Sequence, residues 1–372
     1  MEQYDVIVVG AGPAGSSAAK AVAERGADAV FLEEHHHIGI PQHCTAMMHG
    51  TGSGLSTRML ANMDPRVTLA EVKTRRIYSP SGRVFDISVE GKGVYIVDRA
   101  LFDQHLAAEA IEAGANLLLN TKVTGLITEG EQILGVKTNR KDMPEIRAKV
   151  VIGADGVRAL FGGIPIMAGL AQKVTEYMVG IKMIVSNVKD VDKEIMELHL
   201  GPFGSSKFYR GFIWVQRNDE HFCHMGFDSV DNFERAKRGD YVLSKKLKDA
   251  VITGMTGYSQ PLTVHPGPLK KKVKPGLIVA GAAANYPSFI LNSLGGSYAG
   301  QVAAEAVSEG DVSAERLAAF EDMCSKSIDN PGWWSKDFGF GAWMNRTDDE
   351  KEEIFDRMIK AGYVNFDVYE NI

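Results

Sequence analysis

Cysteine is scarce in this chain of 372 residues: Cys44, Cys223 and Cys324 lie far apart, and no two form a C-x-x-C pair. That excludes a disulfide framework and argues against a structural zinc site or a cysteine-ligated iron–sulfur cluster. A reducing cytoplasm is the expected compartment. Positive charge is not in excess either. Lys plus Arg number 41 against 47 Asp plus Glu, a net of -6, so the basic footprint of a nucleic-acid binder is missing. Long apolar runs are absent too: the richest, GLIVAGAAA at 276–284, is broken by glycine and is half of the roughly 18 residues a membrane span needs. The first residues, MEQYDVIVVGAG, carry no basic region and read as strand rather than signal peptide.

What the chain has is an ordinary globular composition, 45% hydrophobic and 24% charged, with 39 glycines. Its length suits two or three domains, or one large fold with insertions. Glycine at roughly one residue in ten exceeds the usual 7% or so, so many positions need positive φ or close backbone approach.

Residues 4–9 (YDVIVV) form a β-branched apolar run, the mark of a strand buried on both faces of a parallel sheet. Gly10-Ala11-Gly12-Pro13-Ala14-Gly15 follows at once, then an Ala-rich helical stretch to Gly26, a second short strand AVFL at 29–32, and Glu33. Strand, G-x-G-x-x-G, helix, strand and acid together make a dinucleotide-binding βαβ unit. Gly10 allows the tight turn, Gly12 lets backbone approach a pyrophosphate, and Gly15 lets helix and strand pack closely. The helix N-terminus presents N–H groups and a positive dipole to the phosphates, and Glu33 is placed for the ribose hydroxyls. No second such unit occurs, so one dinucleotide is held in this way.

Further blocks carry a resemblance. EEHHHIGIPQHCTA (33–46), VDRALFDQHLAAEAIEAG (97–114), VVIGADG (150–156), GFIWV (211–215) and PGLIVAGAAAN (275–285) stand in order along the chain. Up to about residue 300 the sequence resembles the geranylgeranyl reductase family, FAD-dependent flavoproteins of the aromatic-hydroxylase, or glutathione reductase type 2, class. The resemblance implies an α/β fold: a Rossmann-like FAD-binding domain with an inserted antiparallel β-sheet substrate domain and a helical C-terminus. The FAD-binding domain would comprise 1–75, 95–165 and 268–310, and the substrate domain 76–94 and 166–267. Residues 174–265 alternate apolar and polar in strand-like runs such as YMVGIKMIV. In the helical segment 311–372, Thr347 to Glu350 form a capping box and Gly362 is the expected stop.

Beyond the glycine turn with Pro13, Ala14 and Glu33, the resemblance puts Glu34, Cys44, Thr45, Arg99, Val123, Asp155 and Gly156 on FAD, then Gly281, Ala282, Gly295, Gly296 and Ser297. The chain also departs from the family. Thr45 and Ala46 replace a Gly-Glu pair, Gln216 and Arg217 replace Phe-Pro, and Ala282 stands where an aspartate meets the ribityl hydroxyls. Losing that carboxylate weakens FAD binding by about 1–3 kcal/mol unless Asn285 or Asn292 compensates.

Cys44 and its neighbour His43 are the candidate proton-transfer residues. The alternative for Cys44 is a small packing residue at the cofactor wall. Five histidines (His35, His36, His37, His43, His49) fall within fifteen residues, but consecutive residues do not converge on one ion, and no metal is expected. Phe212 and Trp214 match the family's aromatic strand and are expected to wall the substrate. Trp333, Trp334, Phe338, Phe340 and Trp343 suit an apolar tunnel, a membrane-facing or dimer surface, or core packing, and Lys270 to Lys272 with Lys274 suit a solvated turn or lipid phosphates.

The implied activity is reduction of carbon–carbon double bonds, in a polyprenyl lipid or similar apolar substrate, by hydride from reduced flavin. NAD(P)H or a ferredoxin-like protein would supply electrons, and a peripheral membrane contact is left open. Two alternatives stand beside it: an FAD-dependent monooxygenase on an aromatic substrate, and a non-redox flavoprotein, to which the departures at Thr45, Ala46 and Ala282 point.

Overall fold

The computed structural model describes residues 2–42, 44, 46–48, 54–171, 177–199, 211–215, 222–227, 230–239, 242–261, 268–286, 288–329 and 347–360. The chain divides into two compact units, one of 1–40, 100–177 and 261–331, the other of 41–99, 178–260 and 332–372.

In the first unit the N-terminal apolar run forms the strand Glu2–Val9, whose last four residues are buried. It pairs in parallel with Glu145–Gly153 on one side and Ala29–Leu32 on the other. Leu277–Val279 and Asn116–Leu118 extend the parallel sheet outwards on the two sides. The first strand is therefore central, and strand order reverses beside it, the doubly wound arrangement that leaves a crevice at the strands' C-terminal ends. A hairpin of Val123–Glu129 and Gln132–Thr138 joins antiparallel along Glu145–Gly153.

The helix Pro13–Ala23 starts directly after the glycine turn and lies against the 21-residue helix Phe289–Glu309. These two touch backbone to backbone. A Cβ on Gly296 would sit 2.0 Å from the Ala14 carbonyl oxygen. Gly296, expected at the cofactor, thus has a packing role of its own.

The second unit holds a seven-stranded sheet in the order Val251–Pro261, Tyr177–Ser186, Phe222–Phe227, Gly211–Val215, Ile195–His199, Thr74–Tyr78, Val84–Ser88. Its hairpin-like neighbours are antiparallel, but Ile195–His199 runs parallel to Thr74–Tyr78. A parallel pair needs a long crossover, and the chain between Tyr78 and Ile195 supplies one. The expected antiparallel sheet is therefore mixed at one join. Met183, Val185, Phe233, Leu243 and Leu247 pack the helices Val230–Arg238 and Val242–Leu247 beneath it.

Helix Asp348–Lys360 begins with the expected capping box: Glu350 N–H donates to Thr347 Oγ1 at 3.2 Å and Thr347 N–H to Glu350 Oε2 at 2.7 Å. Phe355 anchors it against Ile77, Ile87 and Leu198. Arg83 reaches its Glu352 and Asp356. Gly362 and the five clustered aromatics from Trp333 to Trp343 lie outside the described residues.

One buried polar network interrupts this apolar core. Glu197 accepts from Lys246 and from the ring of His199 at 3.0 Å, and Tyr78 stacks on that ring with centroids 4.3 Å apart. Burial works to raise the Glu197 pKa, but the His199 hydrogen bond and the Lys246 charge hold it below the usual carboxylate range. Burial depresses His199, so the ring stays neutral.

Candidate functional site

At the C-terminal ends of the first unit's parallel strands, the sequence has to turn from strand to helix within a few residues. Gly10 does so with φ +99, and a Cβ there would lie 2.5 Å from the Ala154 carbonyl oxygen. Gly15 closes the turn from the other side, where a Cβ would fall 1.8 Å from the Gly10 oxygen. A Cβ on Gly12, by contrast, would meet nothing within 4 Å among the described residues. Gly12 is the N-cap of the helix and supplies no side-chain acceptor, and Pro13 occupies its first turn. The early N–H groups of the helix are therefore left for a ligand.

Glu33 closes this turn. Its Oε2 accepts the Ala11 N–H at 3.1 Å, and its Oε1 accepts the His35 N–H at 3.0 Å and lies 2.7 Å from His35 Nδ1. Oε2, with one N–H accepted, retains lone-pair capacity for a ribose hydroxyl. Glu34 instead pairs with Lys122 at 3.0 Å and Arg158 at 3.4 Å. Burial tends to raise its pKa, yet the Lys122 hydrogen bond and charge hold it low.

Asp155 follows the strand Glu145–Gly153 on the other side of the Gly10 turn. Its Oδ2 accepts the Ile164 N–H at 2.8 Å, while Oδ1 is buried without a hydrogen-bond partner among the described residues. Burial raises its pKa to about 6. Gly156, with φ +74, turns the chain away from it.

Gly281 and Ala282 lie in the short turn Gly281–Ala284, and a Cβ on Gly281 would come within 2.5 Å of Ala14 Cβ. Asn292 flanks the same turn, and its Oδ1 is also buried without a partner among the described residues. Asn285 caps the turn with φ +69. Val123, Gly295 and Ser297 are placed on the hairpin and on the long helix. A glycine turn open above Gly12, an acid at the second strand and two orphaned buried oxygens fit a dinucleotide with phosphates and hydroxyls to satisfy.

The second unit brings together a different set. Cys44 is half-buried, and its Sγ accepts the N–H of Ala46, whose φ is +66. A non-glycine residue in that region costs about 1–2 kcal/mol, so the loop is held by its surroundings: the Ala46 carbonyl accepts Val97 N–H at 3.0 Å. Lys182, on Tyr177–Ser186, is 3% exposed and donates to Gln42 Oε1. Gln42 Nε2 reaches Asp98 Oδ1 at 3.5 Å, and the Gln42 carbonyl accepts Thr256 Oγ1 at 2.7 Å. Burial lowers Lys182 to about 8, with Arg99 pressing the same way and Cys44 and Asp98 opposing.

No sequence signal pointed to Lys182 or Gln42, since a single lysine in an alternating strand reads as solvent-facing. His43 and Thr45 lie outside the described residues. The strand Gly211–Val215 places Phe212 opposite Gly226 and Trp214 opposite His224. His36 and His37 meet edge to face at 5.3 Å. Among the described residues no group of three His, Cys, Asp or Glu is arranged to hold a metal, and no helix is long and apolar enough to cross a membrane.

Comparison with known proteins agrees with this geometry. The FAD binding domain family matches residues 3–253. The digeranylgeranylglycerophospholipid reductase of Methanosarcina acetivorans is 33% identical over 335 residues, 84% of this chain and 78% of that protein. The enzyme of the same name from Methanothrix thermoacetophila is 32% identical over 345 residues, 87% of this chain and 83% of that one. Among solved structures, a geranylgeranyl bacteriochlorophyll reductase-like protein from Thermoplasma acidophilum superposes with a TM-score of 0.81 at 26% identity, covering 96% of this chain and 91% of its own. The flavin-dependent brominase Bmp2, at 18% identity and TM-score 0.69 over 95% of this chain and 92% of its own, shares the fold.

Proposed function

The chain belongs to the geranylgeranyl reductase family of FAD-dependent oxidoreductases, and on that premise we propose that it saturates carbon–carbon double bonds in a polyprenyl glycerolipid. The agreement over most of its length with relatives named digeranylgeranylglycerophospholipid reductase, in a chain that keeps the glycine turn and its acid, carries the reading.

The N–H groups above Gly12 would hold the pyrophosphate, Glu33 the adenosine ribose, and Asp155 with Asn292 the hydroxyls further along. Segments 1–75, 95–165 and 268–310 bind the cofactor, and 76–94 with 166–267 cover the substrate. Bound and reduced, FAD supplies a hydride. The chain's own residues then have to exclude water and deliver a proton, because an isolated alkene accepts hydride poorly unless the second carbon is protonated in step. Cys44 Sγ, fixed by the Ala46 N–H, is that donor, with His43 beside it in sequence. Phe212 and Trp214 offer apolar walls to a prenyl chain.

With one dinucleotide fingerprint, the electron donor engages transiently, either NAD(P)H or a ferredoxin-like protein. A lipid substrate brings the protein to a membrane surface as a peripheral visitor from the cytoplasm.

The test is anaerobic. The purified protein is loaded with FAD, reduced with dithionite and offered digeranylgeranylglycerophospholipid in vesicles, then small aromatics with oxygen. Flavin reoxidation together with a lipid mass gain of two hydrogens per double bond is expected. Reoxidation only with oxygen and an aromatic supports a monooxygenase instead, and a chain that takes up no FAD sinks both.

A further inference from the structure

Cys44 sits in a loop that two different sheets hold, one at each end. After the cysteine, the Ala46 carbonyl accepts the Val97 N–H at 3.0 Å, and Met47–Met48 pairs antiparallel with Tyr95 and Ile96. Ala46 is fully buried with φ +66, and its N–H reaches back to Cys44 Sγ at 3.3 Å. Before the cysteine, the anchor is Gln42. Its carbonyl accepts Thr256 Oγ1 at 2.7 Å and its Oε1 accepts the Lys182 ammonium, while Nε2 lies 3.5 Å from Asp98 Oδ1. Thr256 and Lys182 belong to Val251–Pro261 and Tyr177–Ser186, neighbouring strands of the seven-stranded sheet.

These ties limit where the sulfur can go. Two residues of chain span at most about 7 Å, so the Cys44 backbone stays within that distance of a fixed point on either side. Lys182 is the costly part of the arrangement, at 3% exposed. An ammonium taken out of water forfeits strong hydration, and an apolar side chain of similar length would fill the same place on the strand without that cost. What the ammonium adds is a charge-assisted hydrogen bond, stronger than a neutral one, to the Gln42 side chain. Thr256 does the same for the Gln42 backbone from the next strand. Two polar groups of one sheet are thus spent on a single residue of the loop.

We propose that Gln42 is a positioning residue: held by Lys182 and Thr256, it sets where Cys44 presents its proton to the alkene. The inference rests on the reading of Cys44 as proton donor. In that step the S–H bond breaks, a C–H bond forms at one alkene carbon, and the electron pair stays on sulfur until water returns a proton. The hydride on the other carbon comes from reduced FAD, which is oxidised in the step, so no further oxidant or reductant is needed. A displacement of about 1 Å at a reacting group can cost a hundredfold in rate, and a loop released at Gln42 permits one.

Thr256→Val removes the hydroxyl at nearly constant shape, Thr256→Ser keeps it, and Gln42→Leu removes the amide. FAD-loaded protein is reduced with dithionite and mixed anaerobically with digeranylgeranylglycerophospholipid vesicles, and flavin reoxidation is followed through one turnover. At saturating lipid the rate should fall about tenfold or more in Gln42→Leu and at least about threefold in Thr256→Val. The half-saturating lipid concentration should stay within about twofold of wild type, and Thr256→Ser should recover most of the rate. The deciding readout is a cycle with Cys44→Ala. A residue that acts through Cys44 has nothing left to position once the thiol is gone, so adding Gln42→Leu or Thr256→Val to Cys44→Ala should slow the reaction no further.

Single and double effects that multiply overturn the positioning role and leave Cys44 as the donor. A wild-type rate in Thr256→Val overturns it as well, whether or not Gln42→Leu folds. If Cys44→Ala alone reduces the alkene at the wild-type rate, the donor reading fails and the positioning role with it. A wild-type protein that reduces no prenyl alkene overturns the reductase reading itself and everything built on it.

Discussion

Glu33 Oε2 accepts the backbone N–H of Ala11 at 3.1 Å, linking the acid after the second strand to the middle of the glycine turn twenty-two residues earlier. The carboxylate fixes the turn and, in the proposed binding mode, also meets the ribose. Glu33→Ala removes both and should weaken FAD binding by about tenfold or more, the scale of a charge-assisted hydrogen bond. Glu33→Gln, which keeps an oxygen for Ala11, should lose less. Quenching of flavin fluorescence on titration of the apoprotein measures the difference.

Gly296→Ala should destabilise the first unit without touching any titrating group. The new Cβ would meet the Ala14 carbonyl oxygen at 2.0 Å, and two backbones in contact cannot give way as a flexible side chain could. Overpacking of this kind costs about 1–3 kcal/mol or more. A lower thermal midpoint in the apoprotein as well as the holoprotein is expected; a loss seen only with FAD bound would show that Gly296 serves the cofactor instead.

Asp155 gives a pH signature. Burial raises its pKa to about 6 in the folded protein, above the ordinary carboxylate value. Its contribution is fully present below about pH 4 and is lost as pH rises to about 6, by up to about 3 kcal/mol. Relative to Asp155→Asn, the wild-type apoprotein should become less stable across that window. Denaturant melts of both at pH 4, 5 and 6.5 give the slope, and a flat difference would mean that the carboxylate is not desolvated.

Lys246→Met leaves Glu197 buried and ionised with His199 as its remaining side-chain partner among the described residues. Breaking a buried pair costs about 3–5 kcal/mol. The double variant Glu197→Gln with Lys246→Met should recover part of that loss, since no charge is then stranded. Urea unfolding of the two single variants and the double variant closes the cycle.

Local signals sufficed where neighbours in sequence are neighbours in space. The run YDVIVV, the glycines at 10, 12 and 15 and the acid at 33 describe one strand, one turn and one strand end, and each was readable because its geometry is set within a few residues. The capping box at Thr347 and Glu350 was legible for the same reason. The strand GFIWV was legible as a strand, but not as the partner of a strand that also pairs in parallel with Thr74–Tyr78.

Lys182 shows where such reading stops. In YMVGIKMIV the alternation assigns lysine to the wet face, because it presumes that one face of the strand is covered. Here Lys182 and Met183, on opposite faces, are both buried, and only the residues packed over each face settle that. Gly296 likewise reads as a cofactor glycine by its place after GLIVAGAAAN, whereas its close approach to Ala14 depends on how two helices 280 residues apart in the chain come to rest.

By itself the sequence determined the dinucleotide fold and its family, because turns, strands and their glycines obey local steric rules. Tertiary structure alone decided which polar groups are buried and with what: Asp155 with an oxygen that has no partner among the described residues, Glu197 between a lysine and a histidine, Lys182 on the Gln42 amide oxygen. The reason is physical. Desolvation and Coulomb energy depend on what surrounds a group in space, and the surroundings of these groups come from segments that the chain order keeps far apart.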